Sequence, residues 1–127
     1  MHVAIVAWKM KRLEDCDVTF AELREWVRTR AAADYANLPG VRMKTWFSDE
    51  RRAIWGAVYL VDSPADLTPD KLPRLPDGRT GPIGTTPHVI DWFDVEASVF
   101  GQADPMEITT LGRVHEQEEN DENSGTA

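Results

Sequence analysis

The segment Val41–Asp62, VRMKTWFSDERRAIWGAVYLVD, decides how this chain folds. Two stretches rich in β-branched and aromatic residues flank the polar run SDERR, a pattern typical of a β-hairpin. With the turn at Ser48–Arg51, Lys44 is predicted to lie opposite Trp55. Side chains alternate between the faces of a strand. One face, called the aliphatic face below, therefore carries the ordinary packing residues Val41, Met43, Thr45, Phe47, Ile54, Val58 and Leu60. The other face is aromatic and cationic and carries Arg42, Lys44, Trp46, Trp55 and Tyr59.

The segments before the hairpin predict a strand and a helix. His2–Trp8 is short and β-branched, as in a buried strand. In the following segment, Thr19 and Glu22 have the spacing of a capping box, which marks a helix start. Pro39 and Gly40 end the predicted helix. Its apolar residues recur at helical spacing and form one stripe: Phe20, Leu23, Val27, Ala31, Tyr35 and Leu38.

The segments after the hairpin predict a shortened second helix and a last strand. The proline-rich stretch Ser63–Pro87 leaves room only for a short helix around Pro69–Leu72, and a loop of this length is often a lid or a binding loop. His88–Phe100 is predicted to be a strand, and Met106–Val114 a short edge strand. The resulting order is βαββαβ, an α+β ferredoxin-like fold with an antiparallel sheet and helices on one side. A second subunit is expected to cover the other side of the sheet.

Composition sets the domain organisation and excludes several classes of partner. A chain of 127 residues with 42% hydrophobic content is expected to form one domain. We assign it to residues 1–114 and interpret residues 115–127, which include EQEENDENSG, as an acidic disordered tail. The net charge of −8 argues against nucleic-acid binding. No signal segment and no membrane-spanning run is apparent, so we expect a cytoplasmic protein. Cys16, the only cysteine, rules out an intrachain disulfide.

Two segments carry a family resemblance. LPGVRMKTWFSDERRAIWGAVYLVDSPADL and WFDVEASV resemble the YdhR-type monooxygenases of the dimeric α/β-barrel superfamily. The shared features are a proline–glycine step into the second strand, Lys44 and Trp46 two residues apart, a charged turn, the strand GAVYLVD and the late Phe93–Val95. The resemblance covers roughly residues 1–100, and the shortened second helix departs from the family pattern. It implies a homodimer with packed sheets and, in each subunit, a pocket between sheet and helices.

The resemblance also implies a chemistry, namely cofactor-independent oxidation of an aromatic or polyketide-like substrate. Such a reaction needs a substrate that becomes an electron-rich anion. Lys44 and Arg42 would stabilise that anion by charge-assisted hydrogen bonds, and His88 would accept the proton. Flat walls for an aromatic ligand would come from Trp8, Trp46, Trp55 and Tyr59.

Other roles for the same residues remain open. For the tryptophans the alternative is a place in the core or in a dimer interface. For Lys44 it is a side chain that extends to solvent or pairs with a carboxylate across the dimer, and for His88 it is a plain position at the start of a strand. The same fold also supports a cofactor-free cyclase, isomerase or dehydratase, or a non-catalytic ligand-binding dimer. No metal-ligand spacing, serine elbow or dinucleotide fingerprint is found, so we expect neither metal nor cofactor.

Overall fold

The computed structural model describes residues 1–12, 18–68, 83 and 87–116. They contain four strands: β1 (His2–Lys9), β2 (Val41–Asp49), β3 (Ile54–Val61) and β4 (Val89–Asp94). These form one antiparallel sheet in the order β2-β3-β1-β4. The predicted α+β class with an antiparallel sheet is confirmed, and the architecture is compatible with a ferredoxin-like fold.

A single helical segment, residues 20–36, covers one face of the sheet. It consists of α1 (Phe20–Trp26), a π-helical stretch (Val27–Ala31) and α2 (Ala32–Ala36). It begins as predicted, because the Thr19 hydroxyl accepts a hydrogen bond of 3.1 Å from the Glu22 amide.

The π-helical stretch follows from the spacing of the buried residues. Leu23, Val27, Ala31 and Tyr35 are all buried and stand four residues apart. In an α-helix of about 3.6 residues per turn, each step of four rotates the side chain by roughly 40° beyond a full turn. Three such steps would rotate Tyr35 well away from the direction of Leu23. The wider π turn removes this rotation, so that both side chains face the sheet.

The hairpin has a register that differs from the predicted one. The turn lies at residues 50–53, two residues later than predicted, so β2 extends to Asp49 and β3 begins only at Ile54. The Asp49 carboxylate accepts a hydrogen bond of 3.1 Å from the Arg52 amide, and Ala53 adopts φ 54°. As a result Lys44 pairs with Tyr59 and not with Trp55.

The two faces of the hairpin are nevertheless divided almost as predicted. The pairing partner moves by an even number of residues, from Trp55 to Tyr59, so the aromatic side chains stay on one side. A β-bulge between Val41 and Met43 makes one exception. It places Val41 under the helix, although the alternation assigned this residue to the aliphatic face.

The aromatic and cationic face of the hairpin lies under the helix and forms the core. A first cluster contains Ala4, Ala31, Tyr35, Ala57, Tyr59 and Val61. A second cluster contains Leu23, Val27, Trp55 and Ile83. Buried Arg24 connects α1 to the hairpin turn through an ion pair with Glu50.

The opposite side of the sheet is not covered by any of the described helices. The register places on it Val3 and Ile5 of β1, together with large apolar residues of the other three strands. Several are strongly exposed, with Met43 at 44%, Phe47 at 36% and Phe93 at 54%. We call this surface, formed by Val3, Ile5, Met43, Phe47, Val58, Leu60 and Phe93, the open sheet face.

The remaining segments differ from the sequence-based expectations in detail. A 3-10 turn at Pro64–Leu67 follows β3, whereas the predicted helix at Pro69–Leu72, like Cys16, lies outside the described residues. Residues 105–110 form a 3-10 helix, so the edge strand predicted there is wrong. Of the predicted acidic tail only residues 115 and 116 are described. None of the described helices is long and apolar enough to cross a lipid bilayer.

Gly40, at the junction between the helix and β2, should be intolerant of substitution. Its φ is +82°, and a Cβ at this position would overlap the Asp66 carboxylate. We expect Gly40→Ala to lower the free energy of unfolding by about 1–3 kcal/mol, measured by chemical denaturation.

The double variant Gly40→Ala/Asp66→Ala separates the two causes of this loss. Removing the carboxylate relieves the overlap but leaves the positive φ. The two substitutions should therefore cost less together than the sum of their separate effects. Simple additivity would contradict the proposed overlap.

Candidate functional site

The amine of Lys44 lies in a cage of three aromatic rings. Its Nζ is 3.3 Å from the ring centroid of Tyr35, and 4.5 Å from those of both Trp46 and Tyr59. We call these four residues the Lys44 cage.

The local fold explains why these residues meet. Tyr59 is the cross-strand partner of Lys44, and Trp46 follows Lys44 by two positions on the same face of β2. Tyr35 comes from α2, where the π-helical stretch turns it toward the sheet. The rings also contact each other, since Tyr35 packs edge-on against Trp46 with a centroid distance of 5.8 Å and an interplanar angle of 82°.

The electrostatics of Lys44 are unusual for a lysine. Part of the residue is accessible to solvent, but the amine lies against the rings, and no carboxylate pairs with it among the described residues. Burial lowers the pKa of Lys44 well below its ordinary value, because removal of water disfavours the charged form. The ring faces favour the ammonium and oppose this fall, each by about 0.5–2 kcal/mol.

The pKa values of the two tyrosines of the cage shift in the opposite direction. Their hydroxyls hydrogen-bond each other, and burial raises the pKa of both Tyr35 and Tyr59. Both side chains therefore stay protonated phenols over the physiological range. The cage thus combines an amine that loses its proton readily with phenols that keep theirs, an arrangement suited to proton transfer.

Only part of the predicted site is assembled in this cage. It contains Lys44, Trp46 and Tyr59, whereas Trp8 and Trp55 pack in the second core cluster. Trp55 is 4% exposed there and serves as core, which is the alternative that the sequence left open.

Arg42 and His88 also lie outside the Lys44 cage. Arg42 sits at the β-bulge and forms an exposed ion pair with Asp62, with an Nε–Oδ1 distance of 2.7 Å. His88 is exposed, and its Nδ1 accepts a hydrogen bond of 2.9 Å from the Lys9 amide. It directly precedes β4, three strands from β2. At about 4.8 Å per strand, this places the backbone of His88 about 14 Å from the strand that carries Lys44.

Tyr35 was not among the predicted site residues. The sequence analysis assigned it to the apolar stripe of the helix, and it is indeed buried. The signal available in the sequence was a hydroxyl-bearing side chain within an otherwise apolar helical stripe. Among the described residues no group of three potential metal ligands comes together.

Comparison with known proteins leaves the family open. No protein-family model matches this chain, and no curated protein matches it significantly. Any functional assignment therefore depends on the geometry of the Lys44 cage and on the resemblance described above.

Proposed function

We propose that this protein is a cytoplasmic homodimeric enzyme of the dimeric α/β-barrel type that acts as a cofactor-independent monooxygenase on an aromatic or polyketide-like substrate. The observation that carries the proposal is the amine of Lys44, which is enclosed by three rings and has no carboxylate partner among the described residues. The antiparallel sheet in the order β2-β3-β1-β4 is compatible with this fold.

In the proposed reaction the neutral Lys44 amine removes an acidic proton from the substrate. Trp46 provides an aromatic surface on which a flat substrate can stack, and Tyr59 supplies a second ring. Once protonated, the Lys44 ammonium stabilises the substrate anion that it has created. Lys44 thus takes both the anion-stabilising role and the proton-accepting role that the sequence analysis divided between Lys44 and His88.

The anion supplies the electrons for the reaction with oxygen. Its carbon forms a bond to O₂ and gives a peroxide, and loss of water from the peroxide leaves a carbonyl group. One oxygen atom ends in the product and the other in water, so a methylene carbon is oxidised without an external reductant. The proton held by Lys44 leaves with the departing hydroxide.

The experiment is oxygen uptake by the purified protein in the presence of anthrone, an aromatic compound whose methylene group is acidic. We expect oxygen consumption above the spontaneous rate and formation of the corresponding quinone. The rate should increase with pH through the pKa of Lys44, because only the neutral amine accepts a proton.

The same experiment distinguishes the alternatives. Substrate conversion that persists without oxygen would replace the monooxygenase by a cyclase, isomerase or dehydratase that uses the same caged amine. Tight binding of anthrone without any product, unchanged in Lys44→Met, would instead indicate a non-catalytic ligand-binding protein.

A further inference from the structure

The Lys44 cage contains the groups for a second kind of reaction besides proton transfer. A lysine amine that is neutral and not held in an ion pair is a nucleophile toward carbonyl carbon. Among the described residues no carboxylate pairs with Lys44. Its neighbours are instead three aromatic rings. Because a ring face accepts N–H groups, these contacts leave the lone pair of the neutral amine free.

The position of Lys44 in the sheet gives a small molecule a path to the amine. Tyr59 flanks it on β3, and Tyr35 lies against it from the helix. In the order β2-β3-β1-β4 the strand that carries Lys44 is outermost, so no described strand lies on the side away from Tyr59. Both Lys44 and Trp46 are partly accessible to solvent. A flat molecule that enters from the free edge of β2 therefore meets the Trp46 ring and the amine together.

Burial keeps more of the Lys44 amine in its reactive form than is usual for a lysine. An exposed lysine with a pKa of about 10.4 is neutral in about one molecule in 2,500 at pH 7. Burial lowers the pKa of Lys44 well below this value. Because a fall of one unit raises the neutral fraction about tenfold, Lys44 is expected to react faster than an exposed lysine such as Lys11.

The phenols of the Lys44 cage supply an acid for the second half of such a reaction. When an amine adds to a carbonyl group, the resulting hydroxyl needs a proton before it can leave as water. The hydroxyls of Tyr35 and Tyr59 hydrogen-bond each other, and burial raises the pKa of both, so they stay protonated at pH 7. Both rings contact the amine. The nucleophile and the acids therefore belong to one cluster.

We propose that Lys44 forms a Schiff base with an aromatic ketone or 1,3-diketone that enters the Lys44 cage. Its Nζ forms a bond to the carbonyl carbon, and the carbon–oxygen bond breaks. The oxygen leaves as water with the two hydrogens of the amine, so no group is oxidised or reduced. A phenol of the cage gives one proton to the leaving hydroxyl and regains it from the nitrogen. This inference rests on the Lys44 site of the proposed function, and it assigns a reactive carbonyl group to the substrate at that site.

The test is incubation of the full chain with 1-phenylbutane-1,3-dione in the absence of oxygen. This flat diketone carries a ring that can stack on Trp46, and its Schiff base rearranges to a stable enaminone without a reducing agent. Peptide mapping by mass spectrometry then compares Lys44 with Lys9 and Lys11 in the same molecule. We expect an adduct of the diketone minus one water, formed at Lys44 at least about tenfold faster than at the other two lysines.

Two variants show whether the signal comes from this amine. The near-ultraviolet absorbance of the enaminone, read on the intact protein, should be lost in Lys44→Met. It should be kept in the matched control Lys11→Met, because Lys11 is exposed. Equal labelling of the three lysines would overturn the inference. So would the absence of a Lys44 adduct both with this diketone and with the smaller pentane-2,4-dione.

The oxygen-uptake assay with anthrone separates this inference from the proposed function. An adduct at Lys44 in a protein that does not oxidise anthrone would support the Schiff base and remove the monooxygenase. Oxidation of anthrone that depends on Lys44, in a protein that forms no adduct with either diketone, would overturn the Schiff base and leave the monooxygenase standing.

Discussion

Lys44→Met is expected to make the protein more stable and less active at the same time. Methionine fills a similar volume, contacts aromatic rings favourably and carries no charge that must be desolvated. The free energy of unfolding should rise by more than about 1 kcal/mol at pH 7, because burial lowers the pKa of Lys44 well below its ordinary value. If Lys44 is the base, turnover should fall by about 10²- to 10⁴-fold.

The pH dependence of stability gives a sharper form of this prediction. Between the pKa of Lys44 in the folded protein and about 10.4 in the unfolded chain, the unfolded state binds the additional proton. Wild-type stability attributable to Lys44 therefore increases with pH across this window, by about 1.4 kcal/mol per pH unit. The difference in free energy of unfolding between Lys44→Met and the wild type is largest at pH values below this window and disappears as the pH rises through it.

Urea denaturation of both proteins at a series of pH values, at one protein concentration, measures this difference. Lys11→Met is the control, since Lys11 is exposed, and it should change stability by less than about 0.5 kcal/mol at every pH. Parallel stability curves for wild type and Lys44→Met would show that the amine is solvated, and the Lys44 cage would then lose its proposed role.

Leu23→Ala is expected to be the most destabilising of the simple core substitutions. Leu23 is fully buried, with 0% exposure, among Val27, Trp55 and Ile83. Removing its side-chain atoms leaves a cavity that the rigid helix and sheet fill poorly. The expected loss is about 2–5 kcal/mol, a large part of the stability of a domain of this size.

Thermal and urea unfolding both measure this loss. Leu67→Ala removes the same atoms from a side chain that is only half-buried against the first core cluster. It should cost less than half as much as Leu23→Ala. Equal losses at the two positions would mean that the second core cluster is less tightly packed than described.

Local rules predict much of this fold. The helix start at Thr19 depends on a side chain and an amide three residues apart, and the apolar stripe depends on helical spacing. Both are visible in the sequence. The division of the hairpin into two faces also follows, because alternation is fixed by the strand itself.

Features that depend on the exact turn conformation, or on contacts between residues distant in the sequence, could not be predicted. The hairpin register depends on the Asp49–Arg52 contact and on the backbone of Ala53, and these moved the partner of Lys44 from Trp55 to Tyr59. The Lys44 cage needed Tyr35, whose place above β2 depends on how the helix crosses the sheet. His88 was separated from Lys44 by the strand order, which local patterns do not encode.

The π-helical stretch Val27–Ala31 has one more consequence. Between Leu23 and Tyr35 the chain contains about one residue more than a regular α-helix would need to place both side chains on the same side. Shortening this stretch by one residue would leave a regular α-helix whose two ends keep their orientation. The Tyr35 ring should thus keep its position over the Lys44 amine after a one-residue deletion in this stretch. In most helices such a deletion would rotate a following side chain by about 100°. The arrangement of the Lys44 cage is therefore compatible with two lengths of this helix.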